Sequence, residues 1–255
     1  MQGRLCSVCG ERVLSPHTLS PHALSDRDGR LLCPVCSRVE QTFVKAVAYG
    51  SYEGGLRELI HLLKYGGVRP AATVLGRMLA DAISAFETGC FQTGLGSVPV
   101  VVVPVPLHRS RRRERGFNHA ELIARAALKL RSVEGKAIGR EMVLCADALE
   151  RKRETQSQTG LTSHQRRENM RGAFAVRRAQ EVNGREVLLV DDVYTTGATV
   201  SECARVLRRA GATKVWVATV ARTLKLASQY GQLKPAMSVS AADVAETPLT
   251  KAVAS

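Results

Sequence analysis

Apolar runs alternate with polar loops along this chain, and the clearest unit is residues 187–199, which read VLLVDDVYTTGAT. Val187–Val190 has the length and β-branching of a strand buried on both faces, as in the middle of a parallel sheet. Two acids and a loop of threonines and glycine follow, and then Val200, Cys203 and Leu207 repeat with a helical period. The pattern predicts a strand, a loop and a helix, with the loop at the carboxyl end of the strand.

A second strand-loop-helix unit carries a loop rich in arginine. Val98–Val103 predicts another buried strand, which Pro104 and Pro106 end because proline cannot donate to a strand ladder. The loop that follows, residues 108–119, reads HRSRRRERGFNH, and a helical pattern begins at Glu121. If the two strands are neighbours, both loops face one cleft, because ligands of open α/β sheets bind at the carboxyl ends of the strands.

The remaining periodic segments complete a predicted α/β fold. Residues 39–86 have a helical pattern, with helices predicted over 56–64 and 71–86. Weaker strand patterns occur at Glu141–Cys145, Gly172–Val176 and Lys214–Val220. Strands that alternate with helices predict a parallel sheet with flanking helices.

Two further segments break the periodicity. Residues 146–171 hold few apolar residues inside the predicted domain, and a connection of that length is usually functional or mobile, so we expect a flexible lid or an anion-binding arm. Residues 224–255 are rich in Ala, Ser, Thr and Lys without a period, and we expect a disordered tail. The predicted domain between the amino-terminal segment and this tail spans residues 39–223.

The amino-terminal segment, residues 1–38, contains two C-x2-C pairs. Each pair can form a tight turn that presents two thiolates, and two such turns complete a tetrahedral structural zinc site. Such a closed site leaves no open position for catalysis. A redox pair is the alternative. His17 and His22 lie between the pairs and can replace a cysteine, although exposed loop histidines are the simpler interpretation. The predicted metal ligands are Cys6, Cys9, Cys33 and Cys36.

The positive net charge of the chain indicates which kind of partner it can bind. The 255 residues carry a net charge of +14, and residues 108–119 and 151–171 contribute +4 each. An anionic partner fits this concentration of charge, and a solvated surface is the alternative. No apolar run approaches the roughly 20 residues that a membrane helix needs, and the first residues have no apolar core of a signal peptide, so we expect a cytoplasmic protein.

The loop after residue 190 has the chemistry of a sugar phosphate site. A helix amino terminus attracts phosphate, and Gly197 lets the backbone approach closely. The acids suit vicinal sugar hydroxyls or a hydrated Mg²⁺ better than phosphate, although a plain polar turn remains the alternative. Arg115 and its neighbours are suitable donors for a pyrophosphate across the cleft. Lys64, before a glycine turn, is a candidate anion contact or a solvated lysine. The predicted binding residues of the central loop are Asp191, Asp192, Thr195, Thr196, Gly197, Ala198 and Thr199.

This stretch resembles the phosphoribosyl pyrophosphate (PRPP) motif of type I phosphoribosyltransferases: a hydrophobic run, two acids, two variable residues and T-T-G-x-T. The resemblance implies a type I phosphoribosyltransferase-like fold, in which Asp191 and Asp192 hold the ribose 2′ and 3′ hydroxyls as catalytic residues. It also implies that Thr195–Thr199 hold the 5′-phosphate, and that Mg²⁺ accompanies PRPP.

Taken as a set, the motifs of residues 1–223 resemble the ComF family of competence-associated proteins. That resemblance implies a small zinc-ribbon module before a phosphoribosyltransferase-like domain, and a link to natural transformation, the uptake and handling of DNA. His119 stands where glutamine is common in the family. Further residues match family motifs without an assigned role, namely Arg115, Gly116, Phe117, Asn118, Arg166 and Asn169.

Two functions remain open from the sequence. The first is a phosphoribosyltransferase that takes PRPP and Mg²⁺ and transfers ribose 5-phosphate to an unknown acceptor, mainly by positioning and charge stabilisation. The second is a non-catalytic competence factor whose basic stretches and zinc module contact single-stranded DNA or a DNA-processing partner. The low aromatic content, 4%, argues against a dedicated base-stacking groove.

Overall fold

The computed structural model describes most of the chain up to Leu224, and Met1–Leu224 form one compact unit. His17, His22 and residues 225–255, which hold nearly all of the predicted tail, lie outside the described residues. The described ranges are 4–13, 29–90, 98–133, 140–154 and 163–224.

A five-stranded parallel sheet forms the centre of the fold. From one edge to the other, its strands are β3 (Ala46–Ser51), β9 (Lys214–Arg222), β8 (Glu186–Tyr194), β4 (Val100–Pro104) and β5 (Met142–Leu144). The central strand β8 contains Val187–Val190, all fully buried, as its apolar run predicts. Strands β4 and β8 are direct neighbours, so the loops that follow them open at the same edge of the sheet.

Helices cover both faces of the sheet. On one face, α1, α2 and α4 pack Ile60, Leu75 and Ile123 against Leu188 and Val190. On the other face, α7 packs in the same core as the cysteine-rich segment. The predicted α/β architecture is confirmed. The helices are α1 (Gly54–Lys64), α2 (Ala71–Cys90), α3 (Arg109–Arg115), α4 (His119–Val133), α5 (Ser163–Met170), α6 (Ala179–Val182) and α7 (Ala198–Arg209).

Two predicted elements were wrong. Residues 39–86 are not helical throughout, because β3 forms an edge strand paired with β9. Its short, half-buried pattern cannot be separated from a helix by periodicity alone. The arginine-rich stretch is not a loop, because most of it forms α3. Arginine is a good helix former, and Gly116, with φ of 73°, provides the left-handed residue that ends this helix.

Short strands make two small sheets beside the main one. Strands β1 (Arg4–Leu5) and β2 (Arg12–Val13) form an antiparallel pair around the first C-x2-C turn. Strands β6 (Leu149–Arg151) and β7 (Phe174–Val176) form another. Part of the predicted lid or arm is therefore β6 and α5, and α5 packs on α7. Within the described ranges, every helix is too short or too polar to cross a bilayer.

Candidate functional site

Strand β8 carries both acids at the carboxyl edge of the sheet. The strand runs on to Tyr194, so the acids belong to the strand itself rather than to the loop after it. The backbone N–H of Asp192 donates to Oδ1 of Asp191 at 2.9 Å. Asp191 is partly exposed, whereas only 4% of Asp192 is exposed. The two acids therefore differ in how easily a ligand can reach them.

Two basic side chains from other elements enclose Asp192. Nζ of Lys64, at the end of α1, lies 2.5 Å from Oδ2 of Asp192. Nε2 of His119, at the start of α4, lies 2.9 Å from the same oxygen. The structure thus makes Lys64 a buried ion-pair partner rather than a solvated side chain. Sequence reasoning did not pair Lys64 or His119 with Asp192, since neither lies near it in the chain.

The enclosure separates the pKa values of the two acids. Burial alone would raise the pKa of Asp192, but the charges of His119 and Lys64 outweigh burial and hold it well below its ordinary range. Burial, and after it the neighbouring charge of Asp192, raise the pKa of Asp191 to about 6. Burial also opposes the charge of Lys64, yet Asp192 outweighs it and the pKa of Lys64 is raised. Asp192 is thus a fixed anion, and Asp191 titrates close to neutral pH.

Asp191→Asn is expected to stabilise the protein at pH 7.5 by about 2 kcal/mol, because folding no longer buries this ionised carboxylate. The asparagine Oδ1 can still accept from the N–H of Asp192. The pKa of Asp191 is higher in the folded than in the unfolded protein, so its ionisation lowers stability progressively as the pH rises from the unfolded pKa to about 6, and by a constant amount above that. The gain from Asp191→Asn is therefore largest above pH about 6 and shrinks as the pH falls toward the unfolded pKa. Urea unfolding at pH 7.5 and pH 5 measures both effects.

The exposed acid Asp81 on α2 provides a matched control for that substitution. Asp81→Asn is expected to leave the urea midpoint unchanged at both pH values. An Asp191→Asn protein that is less stable than wild type at pH 7.5 would contradict the prediction.

The loop after β8 turns directly into α7. Gly197 has φ of 78° and is the N-cap of α7. As a glycine it offers no side chain to cap the helix, and Oγ1 of Thr196 accepts a long hydrogen bond, 3.5 Å, from the N–H of Ala198. A Cβ at Gly197 would overlap the Tyr194 hydroxyl, so glycine is required for both conformation and space. The α7 backbone N–H groups and dipole therefore face the same edge as Asp191, with the hydroxyls of Thr195 and Thr196 on the partly exposed loop.

Arg115 lies at the end of α3, on the neighbouring strand-loop-helix unit. Its Nη1 is 3.3 Å from Nδ1 of His119, and its guanidinium lies 5.0 Å from the ring centroid of Tyr65. His119 contacts Asp192, so a chain of direct contacts joins Arg115 to the acids. The structure thus brings the two predicted anion-binding units together.

The other motif residues have local roles. Asn118 is buried; its Nδ2 donates to the carbonyl of Val105 at 3.0 Å, and its Oδ1 accepts from the N–H of Ala120 at 3.1 Å, at the start of α4. Phe117 is buried in the core of the sheet face covered by α2 and α4. Arg166 and Asn169 lie on α5.

The four predicted metal ligands form one cluster. One Sγ atom from each of Cys6, Cys9, Cys33 and Cys36 lies within 4.8 Å of the others. The Cys9 and Cys33 sulfurs are 3.6 Å apart. Sulfurs bound at 2.3 Å to a tetrahedral zinc lie about 3.8 Å apart. The cluster therefore fits a closed four-thiolate zinc site, and Cys6, Cys9 and Cys33 are buried.

Arg222, the last residue of β9, joins the cysteine cluster to the loop after β8. Its Nη1 donates to the carbonyl of Cys9, and its Nη2 pairs with Glu11 at 2.9 Å. Its guanidinium lies 5.3 Å from the ring centroid of Tyr194, the residue that crowds Gly197. The buried Arg222 thus contacts both the first C-x2-C turn and Tyr194, which packs against Gly197.

Comparison with known proteins agrees with these features. The phosphoribosyl transferase domain family matches residues 79–247. DNA utilization protein YhgH of Escherichia coli K12 is 33% identical over 222 residues, 86% of this chain and 91% of that protein. Competence protein F of Haemophilus influenzae is 29% identical, over 74% of this chain and 78% of its own. The chain belongs to the ComF family.

Other similarities extend the comparison. Competence protein ComFC of Bacillus subtilis is 24% identical to this ComF-family chain, over 71% of it and 72% of ComFC. A solved structure described as the alanine mutant in an analysis of an invariant aspartic acid in HPRTs has 14% identity and a TM-score of 0.34, over 62% of this chain and 79% of that one. The ComF-family resemblance is confirmed, and so is its fold of a parallel sheet with flanking helices.

Proposed function

We propose that this ComF-family protein binds PRPP, or a related ribose phosphate, at the carboxyl edge of β8. The observation that carries the proposal is the close succession of an accessible acid, Asp191, and the amino terminus of α7, whose N-cap is Gly197. Asp191 accepts hydrogen bonds from ribose hydroxyls, and the N–H groups of α7, with the hydroxyls of the loop, bind the 5′-phosphate. The phosphoribosyl transferase domain of the family supports this assignment.

The basic side chains around the two acids suit a ligand that carries negative charge. Lys64 and His119 neutralise Asp192, which would otherwise repel phosphate. Asp192 reaches ribose only if one of these partners moves, so Asp191 makes the first contact. Arg115, on the neighbouring unit, donates to the pyrophosphate, which Mg²⁺ accompanies.

Transfer of the phosphoribosyl group to an acceptor is the enzymatic form of this proposal. The bond between ribose C1 and the pyrophosphate oxygen breaks, a nucleophilic atom of the acceptor bonds to C1, and the acceptor's proton passes to water. Positive charge develops on the sugar while the pyrophosphate leaves as an anion. Asp191 stabilises the charge that develops on the sugar, and Arg115 stabilises the leaving group. Positioning of the two substrates supplies the rest.

Residues 1–38 hold a structural zinc in this proposal, ahead of a phosphoribosyltransferase domain over residues 39–223. The sulfur geometry of Cys6, Cys9, Cys33 and Cys36 supports it. The reducing cytoplasm suits the site, because the four thiols must stay free of disulfides to bind metal. The metal would stabilise a segment with little core of its own.

Isothermal titration with PRPP and Mg²⁺ tests the proposed binding. The wild-type chain is expected to bind, and the double variant Asp191→Asn, Asp192→Asn is expected to lose detectable binding, because the sugar hydroxyls lose their charged acceptors. Wild-type protein that releases no heat and shows no thermal shift with PRPP would contradict the proposal. Release of pyrophosphate across a set of candidate bases then tests turnover.

Binding of single-stranded DNA is a second candidate function. Its specific observation is the row of exposed arginines on α3, Arg109, Arg112 and Arg113, which suits contact with phosphates. The names of the relatives, DNA utilization protein and Competence protein F, support a role in handling DNA. This candidate function predicts an affinity for oligonucleotides that falls steeply as salt rises.

A further inference from the structure

A row of aromatic rings, of which the last two are exposed and the first is half-buried, lies beside the candidate site. Tyr65 follows Lys64 at the end of α1, and 70% of it is exposed. The ring of His61 is 5.2 Å from that of Tyr65, centroid to centroid. The ring of Tyr52, after β3, lies 6.3 Å from that of His61, centroid to centroid, and its hydroxyl is 2.9 Å from Nε2 of His61. We call these three residues the aromatic strip.

The aromatic strip is held in place by neighbouring cations and hydrogen bonds. Arg115 covers the ring of Tyr65 at 5.0 Å, a separation typical of a cation–π contact. Arg115 also contacts His119, which contacts Asp192. The strip is thus continuous, through direct contacts, with the acids of the candidate ribose phosphate site.

Exposure of so large an aromatic side chain beside arginines favours one class of ligand. A protein partner would cover the ring with apolar side chains, and the adjoining α3 is dominated by positive charge. A nucleic acid strand offers both flat bases for the rings and phosphates for the arginines. A duplex keeps its bases stacked on each other, so only a single strand can use the rings.

We propose that the aromatic strip is a base-stacking surface for single-stranded DNA, with α3 binding the phosphates on either side. This inference rests on the second candidate function and assigns it a site. It also explains how a chain with few aromatic residues can stack bases, because α1 places His61 and Tyr65 four residues apart on one side of the helix end and the turn after β3 places Tyr52 beside His61.

Fluorescence anisotropy with a labelled oligothymidylate tests the strip, using the full chain purified with zinc and no PRPP. Tyr65→Ala is expected to weaken binding about tenfold, because base–aromatic stacking is lost. Tyr65→Phe is expected to bind as wild type, since the ring remains. Tyr49→Ala removes another exposed tyrosine, on β3, and is expected to have no effect.

Two further measurements distinguish base stacking from contacts with the phosphates. An abasic oligomer of equal length is expected to bind wild type about as weakly as oligothymidylate binds Tyr65→Ala. The ratio of the wild-type affinity to the Tyr65→Ala affinity is expected to stay constant between low and moderate salt. Alanines at Arg112 and Arg113 are instead expected to make the affinity less dependent on salt. Wild-type affinity in Tyr65→Ala, or equal affinity for the abasic oligomer, would overturn the proposal. Because PRPP is left out, neither result depends on the ribose phosphate site.

Discussion

Gly197→Ala is expected to weaken PRPP binding by a factor of about 100 or more. The φ of 78° at this residue is unfavourable for alanine by about 1–2 kcal/mol. The new methyl group would also overlap the hydroxyl and ring of Tyr194. Since Tyr194 is buried between Phe43 and Arg222, the loop must shift instead, and the N–H groups of α7 no longer meet the phosphate. Isothermal titration with PRPP and Mg²⁺ measures the loss.

Gly184→Ala is the matched control for that substitution. Gly184 has a similar φ of 70°, but a Cβ there meets no atom within 4 Å. It precedes β8, at the end of the strand opposite the acids. Gly184→Ala is expected to lower the free energy of unfolding by about 1 kcal/mol and to leave PRPP affinity unchanged. Binding by Gly197→Ala within threefold of wild type would contradict the role given to this loop.

The central unit was predictable because its signals are local. Four consecutive apolar residues, Val187–Val190, require burial on both faces, and an acid pair followed by T-T-G-x-T is dense enough to indicate a site. The two C-x2-C pairs are equally local, and their four sulfurs do converge. Each unit of these signals, the acid loop or a single C-x2-C pair, is a few residues long, and the equal spacing of the two pairs predicts that they meet although they lie far apart in the chain.

The residues that surround the acids were not predictable, because their contacts are long-range. Lys64 and His119 meet Asp192 only when α1, α4 and β8 pack around one core. The sequence also presented the acids as an equivalent pair. The strand continues through them, so one acid becomes enclosed and the other stays accessible. The aromatic strip was missed for a different reason: its residues all lie within residues 52–65, but composition counts aromatic residues without locating them.

Cys33→Ser is expected to remove the zinc and to lower the free energy of unfolding by about 3 kcal/mol or more, because Val13, Leu32 and the buried cysteines of the cluster pack in the same core as β8 and α7. Bound zinc, measured after release with a colorimetric indicator, and urea unfolding report the two effects. Cys145→Ser alters a cysteine outside the cluster and is expected to retain both zinc and stability. A zinc-free Cys33→Ser chain with the wild-type urea midpoint would contradict this.

Loss of zinc is also expected to weaken binding at the ribose phosphate site, because Arg222 contacts both the first C-x2-C turn and Tyr194. Without metal, the turn that carries the Cys9 carbonyl loosens, and a buried guanidinium loses one of its acceptors. Tyr194, which Arg222 holds beneath Gly197, can then move, so PRPP affinity should fall about tenfold. Glu11→Gln tests this connection with all four cysteines intact, since it removes the charged partner of Arg222. If Glu11→Gln keeps its zinc and loses PRPP affinity, Arg222 connects the cysteine cluster to the ribose phosphate site. Unchanged PRPP affinity in both Cys33→Ser and Glu11→Gln would contradict this and show that zinc supports only its own segment.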